Sequence, residues 1–259
     1  MTLESESALS VQALSVQVLS VQALSVQVWR GAADGRFQTF QVPRRAHQTI
    51  LDVVTEIQRD QDATLSYRFA CRVGMCGSCA MVVNGRPRWT CRTHISKVVE
   101  DGRVEIGPLA NLPLIKDLAC DMAAFFEKWQ KAKGAFAPSK TRRDAIERIA
   151  PASAPRLAAD AAVECINCGV CYAACDTVRW DASFLGPAAL NRAWSLVNDE
   201  RDAGGAARLR AIAGSGGCQL CHSHQSCQEY CPQALNPTRS IAGLKRRATR
   251  AYLSGELKA

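Results

Sequence analysis

The chain has 259 residues, thirteen cysteines, 47% hydrophobic content, 6% aromatic content and a net charge of +8. At about 100 to 200 residues per domain, that length suggests two domains with ordinary globular cores. The odd cysteine count and the ligand-like spacings argue against a secreted disulfide scaffold and for a reducing compartment, the bacterial cytoplasm. The positive charge suits an acidic partner or an anionic membrane face, and a plain solvated surface equally well. No basic stripe with interleaved aromatics is present, so nucleic acid is not an expected partner.

The first residues, Met1-Thr2-Leu3-Glu4-Ser5-Glu6, are acidic where a signal peptide would be basic. Residues 7–28 carry no charge, but their recurring Ser and Gln are too polar for a span of about 20 mostly apolar residues. Any membrane association must therefore come through a partner. Residues 10–29 repeat a five-residue unit, a period that matches neither helix nor strand. Residues 1–24 are accordingly read as a repetitive, disordered leader, with a strand following at 26–30.

A second strand is predicted at 37–42. Ile50, Leu51, Val54 and Ile57 then follow helical spacing within 49–60. A cysteine-rich loop leads into a hairpin whose turn is Asn84-Gly85, a strong short-range hairpin signal. Residues 104–106 can add another strand. Beyond about Ile115 the pattern becomes helical. A helix is predicted over 118–132, with Met122, Phe125, Phe126 and Trp129 as its core face and Cys120 as a small core residue. Pro138, Pro151 and Pro155 mark loose connections, and further helices are predicted at 144–149, 187–202 and 206–212. The last helix starts at Asn236-Pro237, an N-cap followed by proline at the first helical position. It carries Lys245, Arg246, Arg247 and Arg250, a solvated face or one near anionic lipid.

Eleven of the cysteines fall into three groups. Cys71-x4-Cys76-x2-Cys79, completed by Cys91, has the plant-type [2Fe–2S] spacing. Gly74, Gly77 and Ser78 suit a loop whose backbone N–H groups approach sulfur, and such donors stabilise the reduced cluster. A zinc site would not need this asymmetric spacing. Cys165-x2-Cys168-x2-Cys171-x3-Cys175 and Cys221-x5-Cys227-x3-Cys231-Pro232 form the bacterial two-cluster pattern, in which the fourth cysteine of each run serves the other cluster. Cys165, Cys168, Cys171 and Cys231 are thereby assigned to a [4Fe–4S] cluster. Cys175, Cys221 and Cys227 remain for a neighbour, and three thiolates point to [3Fe–4S]. His224 stands where a further thiolate would complete the run and is an alternative ligand for a fourth iron. Cys218 is a bystander or a substitute ligand.

These motifs, with Pro113-Leu-Ile-Lys-Asp-Leu118, Phe184-Leu-Gly-Pro-Ala188 and Cys231-Pro-Gln-Ala-Leu-Asn-Pro-Thr-Arg239, resemble the iron–sulfur subunit of succinate dehydrogenase and fumarate reductase, respiratory complex II. The resemblance covers about residues 26–253. It implies an α+β chain: a β-grasp, plant-type ferredoxin domain at 25–117, then an all-α helical ferredoxin domain at 118–259. It also implies a separate flavoprotein with covalent FAD that interconverts succinate and fumarate, so this chain holds no catalytic residue for the dicarboxylate. Electrons would pass through the three clusters to a quinone beside a membrane anchor, with or without haem b, on the cytoplasmic face of the bacterial inner membrane. The quinone pocket of similar proteins maps onto Trp180 and His222. Two departures stand out: Asp176 where relatives carry proline, and His224 where they carry an apolar residue. The stretch from Cys165 to Cys175 looks like fumarate reductases, whereas Trp180 with His222 looks like ubiquinone-linked succinate dehydrogenases; the balance favours succinate oxidation. A relay serving another flavoprotein, and a free-standing polyferredoxin or zinc scaffold, are the competing readings.

Overall fold

The computed structural model describes residues 23–146 and 148–257. Strands β1 (Ala23–Arg30) and β2 (Arg36–Pro43) pair antiparallel along their whole lengths. Strand β1 starts earlier than predicted because Leu24 falls in phase with Val26 and Val28, and all three point into the core. Ala23 and Leu24 therefore belong to the sheet; the rest of the expected leader lies outside the described residues. Helix α1 (Ile50–Asp60) is opened by a capping box between Thr49 and Asp52 and buries Ile50, Leu51, Val53, Val54 and Ile57. The predicted hairpin forms from β3 (Ala80–Val83) and β4 (Arg86–Trp89), with Asn84 and Gly85 at φ 47° and 72° as a two-residue turn requires. With β5 (Arg103–Gly107) these make a mixed five-stranded sheet, order β2-β1-β5-β3-β4, in which only β1 and β5 run parallel.

The helix predicted over 118–132 begins late. Residues before it form a small hairpin, β6 (Leu114–Lys116) and β7 (Ala119–Cys120), and α2 covers only Ala123–Lys131. Asp117 dictates this. Its buried carboxylate accepts from Gly31 N–H (2.7 Å), Ser66 N–H (2.8 Å) and Arg30 Nε (3.1 Å), and its φ of 53° forms the hairpin turn. Cys120 thus sits on a strand, still buried in the helical core. On α2, Phe125 is buried as predicted, whereas Phe126 is 44% exposed.

The helical half contains α3 (Ala154–Asp160), α4 (Val170–Ala173), α5 (Asp176–Trp180), α6 (Pro187–Asn198), α7 (Gly205–Ala213), α8 (Ser226–Glu229) and α9 (Pro237–Leu253). Helix α3 was not predicted: Ser153 caps it and Pro155 is tolerated in its first turn, so this proline initiates a helix. The helix predicted at 144–149 does not form among the described residues; Asp144 instead accepts from Thr141, and Ile146 is exposed with no core to join. Helix α6 stops at Asn198, short of the predicted 202, because Asp199 folds back to accept from Arg201. Helices α6 and α9 cross closely: a Cβ on Gly243 would lie 2.6 Å from the Trp194 ring. Asn236 caps α9 as predicted, accepting from Arg239 N–H. A buried ion pair, Arg208 with Asp202 at 2.6 Å, pins residues 133–137 through Arg208 donation to the Lys133 and Ala135 carbonyls. No helix of the described residues is long and apolar enough to cross a membrane.

Candidate cluster sites

The first site is built by the loop before β3 and by the turn after β4. Cys71 Sγ accepts N–H groups from Val73 (3.4 Å), Met75 (3.2 Å) and Cys76 (3.4 Å), the backbone cradle that a negative sulfur centre requires. The Ser78 hydroxyl lies 3.0 Å from Cys76 Sγ and, helped by Cys71, holds the Cys76 thiol down at about 6. Thr90 binds the Cys79 carbonyl through both N–H and hydroxyl, which sets Cys91 beside Cys79. Both are buried with Leu51, and burial with the neighbouring Cys79 pushes the Cys91 thiol up to about 11. The outer face of the loop is apolar, with Phe69, Val73 and Met75 exposed and Arg72 stacked over Phe69.

The second site is a pocket lined by Cys165, Cys168, Cys171 and Cys231, with Asn191 and Pro232 in the wall. Gly169, at φ 79°, reverses the chain into α4 so that Cys168 and Cys171 both face it. Burial pushes Cys168 up to about 12 and Cys171 well above the ordinary range. Bare thiolates would be disfavoured here, and bound iron would supply the compensating positive charge.

The third site is a pocket lined by Cys175, Cys221 and Cys227 together with Thr177, Thr238 and His224. Cys227 Sγ is 3.4 Å from the Thr238 hydroxyl, and burial raises Cys227 to about 11. Cys218 is wholly buried in the helical core and does not line this pocket. Among the described residues no trio of His, Cys, Asp or Glu closes on a single ion. Two of the thiol sets each line one pocket.

The structure also brings together what sequence reasoning left apart. A Cβ on Gly77, in the first loop, would lie 2.7 Å from Cys168 Cβ and 2.8 Å from its Cα, so the first two sites touch through this glycine. Cys171 is within electrostatic reach of Cys227, linking the second site to the third. Asn111, in the segment between the two halves, donates to the Tyr172, Ala173 and Cys175 carbonyls at 3.0–3.2 Å and fixes the chain where Cys175 leaves α4. Lys245 is not simply part of a solvated face: its ammonium donates to the Cys221 carbonyl at 2.6 Å. Arg246, Arg247 and Arg250 do face outward. Trp180 (67% exposed) and His222 lie on one surface, joined by His224, whose ring is 5.7 Å from Trp180 and 6.0 Å from His222.

Known proteins share this organisation. A 2Fe-2S iron-sulfur cluster binding domain family matches residues 24–127, and a 4Fe-4S dicluster domain family matches 164–236. The chain is 34% identical over 232 residues to a fumarate reductase iron-sulfur subunit of Haemophilus influenzae, covering 85% of this chain and 89% of the relative. It belongs to the family of fumarate reductase and succinate dehydrogenase iron–sulfur subunits. A mitochondrial succinate dehydrogenase [ubiquinone] iron-sulfur subunit of Oryza sativa is 35% identical over 205 residues, 76% of this chain and 63% of the relative. A chain of the solved Mycobacterium smegmatis Sdh1 complex in the apo form superposes with a TM-score of 0.81 at 28% identity, covering 90% of this chain and 98% of that one. Membership in this family sets aside the zinc scaffold, and the dicluster match spans the cysteines of both sites in the helical half.

Proposed function

We propose that this chain is the electron-relay subunit of a succinate:quinone oxidoreductase. The observation that carries the proposal is the unbroken series of thiol-lined sites: the first touches the second through Gly77 and Cys168, the second adjoins the third, and the third reaches the surface beside Trp180 and His222. Cys71, Cys76, Cys79 and Cys91 would hold [2Fe–2S]; Cys165, Cys168, Cys171 and Cys231 would hold [4Fe–4S]; Cys175, Cys221 and Cys227 would hold [3Fe–4S]. Such clusters supply one-electron steps at potentials set by sulfur hydrogen bonds, net charge and burial.

The chain's own residues shape that path. The amides of Val73, Met75 and Cys76 favour the reduced state at the first site. The mixed sheet with α1 across it suits a β-grasp domain at 25–117 and the remainder a helical ferredoxin domain at 118–259, with hairpin β6–β7 at their boundary. The apolar outer face at Phe69, Val73 and Met75 suits contact with an FAD-bearing flavoprotein. At the other end, the Trp180 indole N–H and the His222 imidazole suit a quinone carbonyl and its protons. That end would lie against a membrane anchor, on the cytoplasmic face of a bacterial inner membrane. Quinol-driven fumarate reduction is the second reading, favoured by the similarity to the Haemophilus influenzae subunit.

The test is EPR of the anaerobically purified, air-oxidised complex. Succinate should bleach an oxidised-state [3Fe–4S] signal, and added quinone should restore it. Trp180→Ala should keep the bleaching and slow the restoration. A signal indifferent to succinate would leave the relay standing and assign it to another flavoprotein.

A further inference from the structure

The loop from Cys221 to Cys227 is bent at two places that ordinary side chains avoid. Ser223 (φ 60°) and Gln225 (φ 68°) both adopt left-handed backbone, and His224 lies between them. This bend lets one side chain do two things at once. His224 lines the cavity of Cys175, Cys221 and Cys227, and its ring packs at 86° to that of Trp180. Neither contact is needed to cage a cluster with three thiols, and neither follows from the roles given to Trp180 and His222. A ring N–H at such a wall is a hydrogen-bond donor to sulfur. Donors of that kind favour the more negative, reduced state and raise the reduction potential.

We propose that His224 tunes the third site: it donates a ring N–H to the sulfurs of the group held by Cys175, Cys221 and Cys227, raising its potential, while its ring packs on Trp180 outside the pocket. The proposal rests on the cluster reading given above. His224 is exposed, so replacing it opens no core cavity.

The test is an EPR-monitored redox titration of the purified complex carrying His224→Phe or His224→Gln. Phenylalanine keeps a ring for Trp180 and removes the donor; glutamine restores a donor without the ring. His224→Phe should lower the third site's midpoint, leave the other two midpoints and the three-iron line shape unchanged, and His224→Gln should recover most of the shift. An unchanged midpoint in His224→Phe overturns the donor role. A four-iron signal in the unaltered protein that His224→Phe converts to three-iron, or loss of the cluster in both variants, overturns it in favour of ligation. Absence of any third signal in the unaltered protein overturns instead the cluster reading on which the proposal stands.

Discussion

Gly77→Ala is the most informative single change. The added Cβ would sit 2.7 Å from Cys168 Cβ and 2.8 Å from Cys168 Cα. Non-bonded carbons prefer about 3.5–4.0 Å, so the two loops must part by about 1 Å. Overpacking of this kind costs about 1–3 kcal/mol. The left-handed backbone at φ 71° adds about 1–2 kcal/mol for any residue with a Cβ. The sum, about 2–5 kcal/mol, should fall on the contact between the sheet and the helical half. Gly85→Ala is the control, since Gly85 has nearly the same φ, 72°, and no atom within 4 Å of an added Cβ. It should lose only the backbone contribution. Denaturant unfolding reads the stabilities, and the spin–spin interaction between the reduced first and second clusters reads the separation. Gly77→Ala should be clearly the less stable of the two and should show a weakened interaction with both clusters retained. Equal stabilities together with an unchanged interaction would refute the idea that this glycine sets the junction.

The cysteine partition predicts separate losses: Cys231→Ala should remove the [4Fe–4S] signal, Cys227→Ala the [3Fe–4S] signal, and Cys218→Ala neither, as EPR of each variant would show. Asp202→Ala leaves Arg208 charged, 1% exposed and without its carboxylate, so unfolding free energy should fall by about 3–5 kcal/mol. A loss within the scatter of surface substitutions would contradict that reading. Asn111→Ala withdraws donors from the Tyr172, Ala173 and Cys175 carbonyls and should cost about 1–3 kcal/mol. Its third cluster should also bleach faster under a chelator, followed by absorbance.

What could be read from the sequence is what is encoded locally. Ligand spacing proposes which thiols share a cluster, and two of the three proposed sets each line one pocket, Cys165, Cys168, Cys171 and Cys231 in one and Cys175, Cys221 and Cys227 in the other. The Asn84-Gly85 turn and the Asn236 cap are local too. The failures share a different cause. The start of α2 is set by Asp117, whose partners Gly31, Arg30 and Ser66 are distant in the chain. The helix expected at 144–149 does not form among the described residues, where Ile146 is exposed. The five-residue repeat hides the alternation that places Leu24 inside, so the sequence alone sets Ala23 and Leu24 in the leader. Gly77, Asn111 and Lys245 gain their roles only when the sheet, the intervening segment and α9 come together around the cysteines. His224 was visible as a departure from its relatives, yet only the fold sets it between the third cavity and Trp180.

Three different clusters in series on one chain should be resolved by an anaerobic EPR redox titration of the purified complex. Three independently titrating signals are predicted, two seen on reduction and one, of three-iron type, seen only on oxidation. Two signals, or no signal of three-iron type in the oxidised state, would rule out a three-cluster relay.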